Sequence, residues 1–116
     1  MTPEQLVERL QNAPDAIEFS QVMAVIDAHY DYRPSRFSNG ETVSEAGTNE
    51  GSCKIFAFAQ LNGLDEQQTL ACFGEYYRND VLKNPQGTDH ANIRNFLRSG
   101  VAGLHFDQPP LTKTTD

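Results

Sequence analysis

Positive charge is scarce in this chain: 9 lysines and arginines stand against 16 aspartates and glutamates, a formal net charge of −7. Binding to nucleic acid phosphates or anionic lipid is driven by Lys and Arg, so the sequence excludes non-specific binding of either kind and leaves a protein partner open. No apolar run approaches the roughly 20 residues that cross a bilayer. Met1 to Leu10 carries Glu4 and Glu8 and lacks both the basic opening and the hydrophobic core of a secretory signal. Two cysteines fit a reduced, cytosolic setting. Export routes that leave an N-terminal segment uncleaved stay compatible with this start.

Chemistry-bearing motifs are scarce too. Gly47-Thr48-Asn49-Glu50-Gly51 lacks the Lys-Ser or Lys-Thr ending that grips a nucleotide. Asp27-Ala28-His29-Tyr30-Asp31 holds ligand-type residues without a zinc spacing, and neither a metal site nor a cofactor is expected. The length, 116 residues, suits one small domain that buries roughly 65% of the surface its unfolded chain exposes.

What is present reads as helices. Thr2-Pro3-Glu4-Gln5 carries a capping box and a first-turn proline, followed by the short stripe Leu6, Val7, Leu10. A second helix is predicted after Asp15, with Phe19, Val22, Met23, Ile26 and Tyr30 three and four apart, ending before Pro34. From Asp31 to Ser52 the chain reads as a long loop, a feature that is usually functional or mobile. Within it Asn39-Gly40 signals a turn for a minor β-hairpin between 36–38 and 42–44. Ile55 to Ala59 are apolar on nearly every side, so the third helix, capped by Asn49 or Ser52 and ended by Gly63, is predicted to be central. Asp65 caps a longer fourth helix through Leu70, Phe73, Tyr77 and Val81. A fifth starts at Thr88 or Asp89 and stops at Gly100. The expectation is a mainly α, compact single domain over residues 1–106, with about five helices, a long central loop, and an extended strand or arm at 101–106. Residues 107–116, polar and proline-bearing, are expected to form a flexible tail.

Cys53 is the first candidate for chemistry. A thiol in the first turn of a helix faces the positive end of the dipole and unpaired N–H groups, which favour the thiolate. Gly51-Ser52-Cys53 followed by Ile55-Phe56-Ala57-Phe58-Ala59 locally resembles the nucleophile segment of papain-type cysteine proteases, over about ten residues. That chemistry needs a histidine base, and His90, beside Asp89, is the candidate among His29, His90 and His105, with Asp89 or Asn39 to orient it. The bland alternative is a small buried residue, the ordinary fate of a free cysteine. Cys72 falls in the core of helix four, opposite Phe56 and about one helical turn from Cys53, too far for a disulfide.

Several separated stretches together resemble the HopJ type III effector family. They are Ile26 to Tyr32 with Pro34, Phe37-Ser38-Asn39-Gly40, Asn49 to Lys54 through Asn62-Gly63-Leu64, Cys72 to Tyr77, and Thr88 to Phe96. The chain departs from the pattern after Gly100, where a tryptophan is expected and Val101 stands instead. The resemblance implies a bacterial protein from a family named for effectors delivered into host cells, so translocation into a host cell is open beside the cytoplasmic location that the N-terminus and the two cysteines point to. It supplies no catalytic residues. Two functions follow: an acidic protein-binding module with Tyr30, Asn39, Asn49 and Glu50 as candidate contacts, or a small thiol-dependent hydrolase or transferase using Cys53, His90 and Asp89.

Overall fold

In a computed structural model that describes residues 1–114, the capping box closes as the sequence predicts. Thr2 Oγ1 accepts from the Gln5 amide at 3.1 Å, and Gln5 Oε1 accepts from the Thr2 amide at 2.8 Å. Helix α1 (Pro3–Asn12) thereby buries Leu6 and Leu10. A 3-10 turn at Pro14–Ala16 delays α2 to Phe19–His29, which buries Val22, Val25 and Ile26. Helix α3 (Glu50–Asn62) is central: Ile55 to Ala59 are all buried, and Gly63 ends the helix in the left-handed conformation at φ 63°. Phe56 is the hub of the core. Its ring lies 6.2, 5.6 and 5.1 Å from those of Phe37, Phe73 and Phe96, which come from three separate parts of the chain.

The fourth helix departs from expectation. α4 (Glu66–Ala71) stops after six residues, Gly74 takes φ +58°, and Tyr76–Val81 winds as a π-helical segment. The reason is a close approach. A Cβ on Gly74 would lie 2.5 Å from the Phe19 backbone nitrogen, so the chain bends where it presses on the start of α2. Helix α5 spans Ala91–Ser99, beginning after His90, with Gly100 at its end.

The protein is mixed α/β rather than mainly α. β1 (Tyr30–Tyr32), β2 (Phe37–Asn39), β3 (Thr42–Ser44), β4 (Leu104–Phe106) and β5 (Leu111–Lys113) form two antiparallel sheets, ordered β3-β2-β4 and β1-β5. The minor hairpin is present, but Asn39 pairs with Thr42, so the loop is Gly40-Glu41, with Gly40 at φ +60°. The expected extended arm at 101–106 becomes a 3-10 turn plus β4, which pairs with β2. The tail expected to be flexible from residue 107 is instead anchored: Leu111 is buried and β5 pairs residue for residue with β1. Residues 115–116 lie outside the described residues. Both cysteines are free and buried. Among the described residues, no helix is long and apolar enough to cross a membrane.

Candidate functional site

Cys53 does open α3, yet its environment reverses the expectation drawn from the dipole. The residue is 1% exposed, and burial pushes the thiol from its ordinary value up to about 11, against a smaller lowering by the Ser35 backbone. A helix terminus contributes about 0.3–1 kcal/mol to a nearby charge. Each pKa unit corresponds to about 1.4 kcal/mol, so desolvation wins. Around the sulfur stand the Tyr32 hydroxyl, Glu50 and Lys54. Tyr32 is itself pushed up to about 12, chiefly by burial.

His90 belongs to a different neighbourhood. Its Nε2 lies 2.9 Å from Asp80 Oδ2 and 3.9 Å from Asp89 Oδ2, and its ring packs on Tyr76 at 5.2 Å. The carboxylate that orients it is therefore Asp80, not Asp89. Arg94 takes Asp89 instead, at 2.5 Å, and this hydrogen bond holds the Asp89 carboxyl below its usual range. Asp80, Asp89 and His90 could hold a cation by position, with ligand atoms within 4.8 Å of one another. The Arg94 guanidinium already takes the Asp89 carboxylate, and the Asp80 carboxylate is paired with His90.

A cleft of about 390 Å³ opens beside His90, and Cys53 is not on its wall. Gly51 and Ser52 of α3 face Ala91, Asn92 and Ile93 of α5 across it, while Phe19, Phe73 and Tyr76 supply an aromatic side. The first turns of two helices thus meet in one space. Each helix is preceded by a non-glycine residue in the left-handed region, Asn49 at φ 51° and His90 at φ 52°. A capping side chain reaches back to the second or third amide from an extended backbone, and neither residue has one. Asn49 Nδ2 donates instead to Ser44 Oγ at 2.9 Å, and His90 turns to Asp80. The amides of 50–52 and 91–93 are left without partners among the described residues.

The family model described as HopJ type III effector protein matches residues 3–111. The chain belongs to the HopJ type III effector protein family. It is also similar to a solved structure titled "Crystal structure of unknown function protein VPA0580". The identity is 50% and the TM-score 0.94, over 96% of this chain and 92% of that one. No curated protein matches.

In this HopJ-family chain the remaining candidates disperse. Asn39 is 0% exposed: its Nδ2 donates to the Asn92 backbone oxygen at 2.7 Å and to Asn92 Oδ1 at 3.1 Å. Tyr30 is a core residue packed on Phe58, its hydroxyl accepting from Asn62. Glu50 is exposed, off the cleft wall. Of the residues named from sequence, only His90 and Asn49 reach the cleft. Ser52, Tyr76, Asn92 and the orienting Asp80 were missed. Asp80 sat inside what read as one continuous helix, and nothing local distinguishes Asn92 from any asparagine in a first helical turn.

Proposed function

We propose that this HopJ-family protein is a recognition module for a protein partner, with the cleft between the starts of α3 and α5 as its docking site. One observation carries the reading. In a chain of net charge −7, no aspartate or glutamate among the described residues lines the cleft, and its walls combine residues whose backbone amides are unpartnered with aromatic faces. A space of about 390 Å³ takes an inserted side chain. The burial of Cys53, and its absence from the wall that His90 lines, favour recognition over thiol chemistry. Residence in the bacterial cytoplasm, with delivery into a host cell, is the localisation we attach to this reading on the family's name.

The test uses Ala91→Trp, which fills the cleft mouth from an exposed position. Tagged wild-type and variant proteins are compared for what they retain from cell extracts. A partner retained by the wild type and lost with the variant supports the reading. A retained set that the substitution leaves unchanged overturns it.

A further inference from the structure

We propose that the cleft binds a tetrahedral oxyanion of the phosphoryl class, carried by the partner as a phosphorylated side chain. This rests on the cleft being the docking site. Helix starts favour anions through the dipole and the free N–H groups. Here two such starts converge, from α3, 13 residues long, and α5, 9 residues long. Donors arriving from two directions suit the spread oxygens of a phosphoryl group better than a planar carboxylate.

A second observation, independent of the helix ends, points to the same ligand. Asn92 is 6% exposed and lines the cleft. Its Oδ1 accepts from Asn39, while its Nδ2 donates to no group among the described residues and is not sealed in the core. The orientation is forced. Asn39 must present nitrogen to the Asn92 backbone carbonyl, since two oxygens would repel, and the same nitrogen then requires oxygen at Asn92 Oδ1. That leaves the amide nitrogen of Asn92, a residue on the cleft wall, as the unpartnered donor of the side chain. The arrangement has a cost, because Asn39 Oδ1 stays buried without a partner among the described residues. His90 stands on the wall beside Tyr76, its Nε2 held by Asp80 at 2.9 Å with Asp89 at 3.9 Å.

The probe is inorganic phosphate titrated into uniformly 15N-labelled protein, followed by amide shifts, with acetate and O-phosphoserine as parallel arms. Saturable shifts at Gly51, Ser52, Asn92 and Ile93 and at the Asn92 side-chain amide are expected, stronger with O-phosphoserine than with phosphate. Asn92→Asp keeps an oxygen for Asn39 and replaces the donor by a carboxylate; it should stay folded and weaken phosphate at least about tenfold. No saturable shift at those amides, an equal response to acetate, or undiminished binding by Asn92→Asp overturns the assignment. Should phosphate fail while Ala91→Trp still abolishes partner retention, the docking reading stands and the anion alone falls.

Discussion

Asn39 joins β2 to the first turn of α5 by donating one amide group to both oxygens of Asn92, at 2.7 and 3.1 Å. Both residues are buried. Asn39→Ala removes the donor and leaves those acceptors unsatisfied, a loss of about 1–3 kcal/mol in equilibrium urea unfolding. Asn39→Asp sets a buried carboxylate against two oxygens. It should lose more than the alanine variant at neutral pH and recover as acid supplies a donating proton. Equal losses at every pH would show that the Asn39 contact contributes only packing.

The thiols should be inert in the folded protein. With Cys53 pushed up to about 11 by burial, and Cys72 raised by burial as well, iodoacetamide near neutral pH should modify neither until the chain unfolds. Mass spectrometry of native and urea-treated samples checks this. Rapid native labelling of Cys53 would reopen thiol chemistry.

Alkali should destabilise the fold. Cys53 and Tyr32 are both held above their ordinary values, so the folded state keeps protons that the unfolded chain releases. Their contribution is complete below about pH 9, the ordinary thiol value, and is lost as pH rises towards 11 and 12. Unfolding midpoints measured across that range should fall, and Tyr32→Phe should reduce the slope.

Gly63 and Gly74 share a left-handed backbone but not their surroundings. Nothing lies within 4 Å of a Cβ placed on Gly63, whereas one on Gly74 would meet the Phe19 backbone at 2.5 Å. Gly63→Ala should cost about 1–2 kcal/mol from conformation alone. Gly74→Ala adds the clash and should cost clearly more, with amide shifts displaced at the start of α2. Similar losses for the two variants would contradict the close approach.

Asp89 should titrate below its ordinary range, because the Arg94 hydrogen bond favours the carboxylate. Its stabilising contribution is then present above the unfolded value and is lost as pH falls through the folded one. Carboxyl 13C shifts followed through an acid titration would report it. Arg94→Gln should return the Asp89 midpoint to the usual range, and an unchanged midpoint would remove Arg94 as the cause.

The sequence by itself determined the elements whose signals are local. The capping box at Thr2 and Gln5, the apolar run through α3, the glycine stops at 63 and 100, and the family all lie in short stretches of residues. Even the hairpin was visible, although its turn sits one residue later than Asn39-Gly40 suggests. Tertiary structure alone decided what depends on distant pairing. β4 and β5 are three residues long and acquire partners only where β2 and β1 lie beside them, too short to show a period of their own. The break at Gly74 follows from contact with Phe19, which no helical pattern contains. The site was decided the same way. Position in the first turn of α3 marked Cys53, but burial governs its proton, while the pairing of Asn39 with Asn92, 53 residues apart in sequence, ties the hairpin strand to the start of α5.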